Sequence, residues 1–188
     1  MRRVLLLCCC LSLAATTATA NDDAYAKAIE VFKSAGESSR FFDKSYGYAL
    51  FPTIGKGGIG VGGAHGSGRV YAQGKHVGDT TMNQVTVGLQ LGGQAFSQII
   101  FFEDKRAFDE FTSGNFEFGA QATAVALTAA ASAGATTTGS SAGVSGGAKD
   151  ATTRGAGYYK GMATFTVAKG GLMYEASIGG QKFKYKPL

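Results

Sequence analysis

The sequence predicts an α+β fold, in which two helices pack on a curved, glycine-rich antiparallel sheet or on a partly closed barrel or sandwich. Three observations lead to this prediction. Apolar and polar residues alternate with a period of two over several segments, as they do in half-buried strands. Two other segments carry apolar residues at helical spacing. The chain also contains 29 glycines in 188 residues, and glycine within strands marks bulges, bends or close backbone approach.

Residues 1–20 have the pattern of a cleavable export signal. Arg2 and Arg3 precede a short apolar run, and Ala18-Thr19-Ala20 matches the small-x-small site of signal peptidases. The apolar run is shorter than the ~20 residues that a membrane-spanning helix needs. We therefore expect cleavage after Ala20, which leaves residues 21–188 as a single exported domain in the periplasm or outer envelope. A retained N-terminal anchor is the alternative.

Cysteine content and charge narrow the possible functions. All three cysteines, Cys8 to Cys10, lie within the export signal, so we expect no disulfide and no cysteine-held metal in the mature chain. Leucines precede Cys8 where a lipidation signal needs a small residue. The formal net charge of +5 falls to +3 without Arg2 and Arg3, which is too low for the footprint of a nucleic-acid-binding domain. We expect no nucleic-acid partner.

Two helical segments are predicted, first at the N-terminus and then near residues 103–113. In the first, apolar residues recur at helical spacing from Ala24 to Ala35, with N-cap candidates at 21–23 and Gly36 at the end. Ser38 or Ser39 starts a second short helix that carries Phe41 and Phe42. Glu103 and Asp104 open the 103–113 helix, where acidic groups suit the positive end of the helix dipole.

The strands are predicted from runs of apolar or alternating residues bounded by glycine or proline. Pro52 ends the first run, and a tight turn near 65–68 joins the two strands that follow it. Glycine pairs at 170–171 and 179–180 are further predicted turns. Residues 135–157 consist of small side chains and are predicted to form a mobile loop. The predicted strands are 48–51, 54–71 as a hairpin, 83–93, 97–102, 116–118, 158–167, 172–178 and 181–185.

Two short motifs have the letters of catalytic or cofactor sites but lack the context that the chemistry needs. Gly58 to Gly63 matches the dinucleotide fingerprint, but no helix pattern follows to hold a pyrophosphate. Gly143 to Gly147 matches a nucleophile elbow, but both histidines, His65 and His76, precede it. Two histidines without cysteine do not make a metal site. We expect no catalytic residue, no metal and no cofactor.

Three ordered blocks of the sequence resemble the SYLF domain. The first runs from Tyr46-Gly47-Tyr48-Ala49-Leu50-Phe51-Pro52 to Arg69-Val70-Tyr71, with the glycine-rich segment between them. The second covers residues 84–102, and the third is 169–180. The resemblance extends over residues 24–186, and it implies a binding domain for lipid or membrane surfaces. Residues 21–44 hold five acidic and four basic residues, unlike the basic N-terminal segment of phosphoinositide-binding members.

The leading hypothesis is therefore an exported envelope protein that binds lipid, with anionic phospholipid as the expected ligand, and that has no catalytic activity. Lys182, Lys184 and Lys186 lie on alternate positions and share one face of a strand, where they would meet anionic headgroups. An edge strand kept soluble by lysines is the other interpretation of these residues. The complete set of candidate lipid contacts is Phe41, Phe42, Lys44, Lys56, Arg69, Lys182, Lys184 and Lys186.

Two alternative functions are compatible with the same pattern. A small outer-membrane β-barrel would explain the alternating strands, the glycines and the export signal, although the helices and short strands count against it. A structural envelope protein without a small ligand is the other alternative. Protein partners are not predicted.

Overall fold

The computed structural model describes residues 12–34, 36–118, 152–153, 158 and 160–188, and three long antiparallel strands form most of this described part. Within these ranges, only the backbone is described at residues 12–20, 36–37, 88–90, 152–153 and 170–179. The elements are α1 (Ser12–Ser34), a 3-10 helix (Gly36–Phe41), β1 (Gly47–Ala72), β2 (Lys75–Phe102), α2 (Lys105–Thr112), β3 (Asn115–Phe118), β4 (Thr152–Thr153) and β5 (Met162–Pro187).

All described strands belong to one antiparallel sheet. Its hydrogen-bonded order is β1-β2-β5-β3, and the short β4 also pairs with β5. The sheet is not closed, because β1 and β3 lie at opposite ends of this order. The predicted α+β class, with a curved sheet, an N-terminal helix and a short helix near 103–113, is confirmed. Of the predicted loop at 135–157, only the backbone of β4 lies within the described residues.

The strands are longer than the sequence predicts, and several predicted turns are wrong. β1 continues through Pro52 and through 65–68, and the chain turns instead at Gln73 and Gly74, which both have positive φ. β5 likewise continues through both of its glycine pairs. Pro52 is accommodated because β1 is an edge strand with a register shift between Phe51 and Ile54. Ser97 Oγ donates to the Pro52 carbonyl at 2.6 Å.

The three long strands bend near their middle, so that each contributes to two packed layers. We define arm 1 as residues 47–55, 95–102 and 162–168, and arm 2 as residues 63–72, 75–85 and 180–187. The bend comprises 56–62, 86–94 and 169–179. Contacts within β1 show how closely the arms approach: a Cβ placed on Gly68 would lie 2.6 Å from Phe51 Cδ1 and 2.7 Å from the Leu50 carbonyl oxygen.

The main core lies between the inner faces of the two arms. Aromatic contacts join them directly, since the Phe51 and Phe183 rings are 5.7 Å apart. α2 closes the end of this core opposite the bend, where Phe111 contacts Phe102 and Phe183. Asp104 caps α2 by accepting a hydrogen bond from the Ala107 amide at 2.8 Å. The buried members are Ala49, Phe51, Ile54, Ala64, Val70, Met82, Phe96, Ile100, Phe102, Ala107, Phe111, Met162 and Phe183.

A second core lies on the outer face of arm 1, beneath α1 and the 3-10 helix. Tyr25, Ala28 and Phe32 of α1 are buried there, as the predicted helical spacing requires. α1 begins at Ser12, so the predicted N-caps at 21–23 lie inside the helix. The alanine-rich segment before them continues the helix, because alanine has the highest helix propensity. The sheet partners are Leu50, Ile99, Phe101, Ala163, Phe165 and Val167.

We expect Gly68→Ala to lower the free energy of unfolding by about 2–3 kcal/mol, because the new methyl group has no room between Phe51 and the Leu50 carbonyl. Gly55→Ala is the matched control, since nothing lies within 4 Å of the position that its methyl group would take. It should change stability by no more than about 0.5 kcal/mol. Urea unfolding followed by circular dichroism measures both. Equal midpoints for the two variants would contradict the close packing of the arms.

Stability should also fall at alkaline pH. Burial raises the pKa of Tyr48 from its ordinary value of 10.0 to about 12, and the neighbouring Tyr71 adds to this effect. A raised pKa favours the neutral phenol in the folded state, so its contribution is complete below pH 10.0 and is lost as the pH rises towards about 12. Tyr48→Phe should therefore reduce the pH dependence of unfolding in this window. An unchanged slope in the variant would show that Tyr48 ionises equally in both states.

Candidate functional site

The predicted contact residues are distributed over both arms, and the structure does not bring them all to one surface. Phe41 is buried in the second core, where its ring lies 5.0 Å from that of Phe165 and 5.6 Å from that of Phe101. Phe42 is half-buried and packs edge-on against Phe101. Both phenylalanines therefore hold the 3-10 helix on the sheet. Of the three predicted contacts in this segment, only Lys44 is exposed.

Arg69 connects arm 2 to α1. Its Nη2 atom lies 2.6 Å from Asp22 Oδ1, and its guanidinium carbon lies 4.2 Å from the Tyr25 ring centre. Because a guanidinium carries several donors and a flat face, it can engage a carboxylate and an aromatic ring at once. The hydrogen bond to Asp22 raises the pKa of Arg69 against the opposing effect of its desolvation. Arg69 thus has a structural role in holding α1 on the sheet.

Lys56 lies on the inner face of the bend, where its residue is only 7% exposed. This inner face is polar, unlike the apolar core between the arms. Gln98 Nε2 donates to Gln181 Oε1 at 3.3 Å, and Gln181 Nε2 donates to Gln84 Oε1 at 3.5 Å. Gln84 and Gln98 are buried, and so is Thr86. The inside of the bend is therefore held together by side-chain hydrogen bonds, as buried polar groups require.

Lys182, Lys184 and Lys186 do share one surface, as the sequence predicts. All three are exposed on the outer face of arm 2, and the intervening Phe183 is buried on the inner face. Lys182 is opposite Asn83, Lys184 is opposite Thr81, and Lys186 is opposite Asp79. Lys182 Nζ also lies 3.6 Å from Glu117 Oε2 of β3, and both side chains are more than half exposed. The face is therefore a basic strip that solvent or a ligand can reach.

An exposed apolar patch at the bend continues this outer face, and sequence reasoning missed it. Val85 and Val87 are 67% and 62% exposed, whereas the intervening Thr86 is fully buried. The alternation that identifies this strand is real, but its apolar side faces outwards. The outward direction could not be found from the pattern alone, because a period of two does not state which face is buried. The patch consists of Ile59, Val61, Val85, Val87 and Leu91.

The described residues offer little for catalysis or metal binding. They contain no group of three or more His, Cys, Asp or Glu side chains that could hold a metal ion. His65 Nδ1 lies 2.8 Å from Asn83 Oδ1, and His76 Nε2 lies 3.1 Å from both Asp79 Oδ1 and the Gly78 carbonyl oxygen. β1 runs without interruption through Gly58 to Gly63, so no helix begins at this glycine motif. The second glycine motif, 143–147, lies outside the described residues.

Neither α1 nor any other described helix combines the length and the apolar character that a membrane span needs.

Two comparisons with known proteins find similar sequences. The family model described as "Ysc84: Las17-binding protein actin regulator" matches residues 83–186, which is more than half of the chain. The "Beta cell expansion factor A" of Aeromonas veronii is 31% identical over 159 residues, which cover 82% of this chain and 51% of that protein. The chain thus spans about half the length of this curated relative. No solved structure matches it. The chain belongs to the Ysc84 family, whose domain is the SYLF domain.

Proposed function

We propose that this protein is exported and binds lipid membranes, with anionic phospholipid as its ligand and without catalysis. Membership of the SYLF family, a family of binding domains associated with lipid and actin regulation, supports the general class of function. The observation that carries the proposal is the basic strip of Lys182, Lys184 and Lys186 on an exposed strand face, beside the exposed apolar patch. The expected location, the periplasm or the outer envelope, follows from the predicted export signal.

The basic strip suits an anionic surface in both charge and geometry. Each basic residue close to such a surface contributes about 1 kcal/mol of attraction. Three lysines on alternate positions of one strand can approach a plane together, because their side chains leave the sheet in the same direction. Glu117 reduces the contribution of Lys182 only slightly, since an ion pair that is exposed on both sides has little stability of its own.

The other predicted contacts differ in their access to a membrane. Phe41 and Lys56 are buried, and Arg69 is engaged with Asp22 and Tyr25, so we do not include these three in the proposed surface. Phe42 is half-buried beneath the Lys33 ammonium, which lies 5.6 Å from its ring centre. Lys44 is exposed and stays a predicted contact.

Replacing the basic strip should weaken binding to anionic vesicles. Lys182→Gln, Lys184→Gln and Lys186→Gln together remove about 3 kcal/mol of attraction, which corresponds to roughly a hundredfold loss of affinity. The measurement is co-sedimentation with vesicles of phosphatidylglycerol and phosphatidylcholine at about 0.1 M salt. A triple variant of Lys27, Lys105 and Lys160 to Gln is the matched control, because these exposed lysines lie on α1, on α2 and before β5, outside arm 2.

The control should bind within about threefold of the unmodified protein, since charges beyond ~10 Å are largely screened at 0.1 M salt. An equal loss in both triple variants would point to net charge alone. If the unmodified protein does not sediment with anionic or with zwitterionic vesicles, the proposed function is wrong.

Export predicts a defined new N-terminus. When the full-length chain is produced in a bacterium, the protein recovered outside the cytoplasm should begin at Asn21, because Ala18 and Ala20 form the small-x-small site. N-terminal sequencing and intact-mass measurement check this directly. Replacing Ala20 with Phe should leave the precursor uncleaved. Protein that stays in the cytoplasm and retains the residues before Asn21 would contradict export.

A further inference from the structure

At the bend, the apolar face of the sheet is exposed and the polar face is buried. The five members of the apolar patch, Ile59, Val61, Val85, Val87 and Leu91, are between 56% and 80% exposed. On the opposite side of the same sheet segment, Lys56, Gln84 and Thr86 are buried. Most water-soluble sheets show the reverse arrangement, because apolar side chains are removed from water and polar ones are left in it. A clustered apolar surface of this kind marks a contact with another apolar phase or molecule.

The five members of the patch lie on the paired strands β1 and β2. Val61 is directly opposite Val87, and Ile59 is directly opposite Leu91 in the β1-β2 register. The residues cannot turn inwards without disrupting both arms, because a shift of one residue would also expose the Phe51 and Met82 side chains that build the main core. The exposure of the patch is therefore imposed by the register of the arms.

Lysines flank the patch on both sides. In arm 2, Lys182 is opposite Asn83, two residues from Val85, which corresponds to ~7 Å along the strand. At the end of the bend next to arm 1, the exposed Lys169 lies at the register shift beside Ala95, four residues or ~13 Å from Leu91. Lys169 Nζ donates to Thr53 Oγ1 at 2.9 Å, which keeps it on the outer face. An apolar surface between two cationic groups is complementary to an anionic bilayer, in which apolar acyl chains lie beneath negatively charged headgroups.

We propose that the bend is the part of this protein that enters the membrane. The five apolar side chains reach the boundary between headgroups and acyl chains, while Lys169 and Lys182 remain at the level of the phosphates. The outer face of arm 2 then lies against the headgroups, with Lys184 nearer to the bilayer than Lys186. This inference rests on the proposed function and adds to it which residues insert and how the domain is oriented.

Charge favours a bilayer over a second copy of this chain. The patch lies on the outside of the bend, in the same sheet region as Lys169 and Lys182. Two copies that met through their patches would bring Lys169 and Lys182 of one copy close to those of the other, which like-charge repulsion opposes. Each valine or isoleucine transferred out of water favours the bound state by a factor of roughly ten.

Single tryptophans can locate the inserted segment, because the natural chain contains no tryptophan. Val87→Trp and Val61→Trp place the probe on either strand of the patch. Leu188→Trp is the control: it is 78% exposed, and its amide donates to the Val77 carbonyl, ten residues or ~30 Å along β2 from Val87. The probe lipid is phosphatidylcholine brominated in its acyl chains, mixed with phosphatidylglycerol in vesicles.

We expect emission from the Val87→Trp and Val61→Trp variants to shift to the blue and to be quenched by brominated lipid, while Leu188→Trp is unaffected. The inference is overturned if vesicles bind the protein and none of the three probes is quenched, or if all three are quenched equally. It is also overturned if the two patch variants emit from an apolar environment before vesicles are added, which would show that another chain segment or a second copy covers the patch.

A second set of variants separates this inference from the proposed function. Val61, Val85 and Val87 are all changed to Thr, which keeps the branched shape and the strand propensity but adds a hydroxyl group. The matched set changes all three to Ile. The Thr set should lower vesicle affinity at least tenfold at constant salt, and the Ile set should not lower it. If the unmodified protein and the Thr set bind equally well, the inserting bend is wrong while membrane binding stands; if the unmodified protein does not bind, both are wrong.

Discussion

The backbone of β1 packs against itself, and the rest of the structure depends on this contact. Its first half, at Leu50, Phe51 and Ile54, lies against Gly66 and Gly68 of its second half, at distances that leave no room for a side chain. β2 and β5 pair with β1 and with each other along most of their length, so they must bend where β1 bends. A main core between two layers, and a convex outer surface at the turn between them, both follow from this geometry.

The bend also determines which surfaces are accessible. The outer face of arm 1 is covered by α1 and the 3-10 helix, through Phe32, Phe41 and their sheet partners. Arg69 extends this attachment to arm 2 through its contacts with Asp22 and Tyr25. The remaining outer face of arm 2 carries the lysines of β5 and leads into the apolar patch. The lysines of β5 and the apolar patch are therefore next to each other on the outer surface of the domain.

Much of the fold could be predicted from local patterns, and the errors share one cause. Apolar spacing located α1, α2 and the segments of β1, β2, β3 and β5, because each pattern reflects which side chains one element buries. The turns predicted at 65–68, 170–171 and 179–180 were wrong, since glycine is compatible with a turn and equally with a strand whose neighbour comes close. Only the partner strand decides between the two. In the same way, the apolar ring of Phe41 would suit a membrane contact, but Phe41 is a core residue, because α1 and the sheet enclose it.

The sequence by itself determined the α+β class, the family and the common face of Lys182, Lys184 and Lys186. These properties depend on local periodicity or on ordered motifs, which can be read without knowing what packs against them. The tertiary structure alone decided which face of each strand is buried, because that choice requires the second layer of the sheet. It placed Val85 and Val87 outside and Thr86 inside, it buried Lys56, and it joined Arg69 to α1. The candidate surface is therefore a product of the bend, which brings together residues that are far apart in the chain.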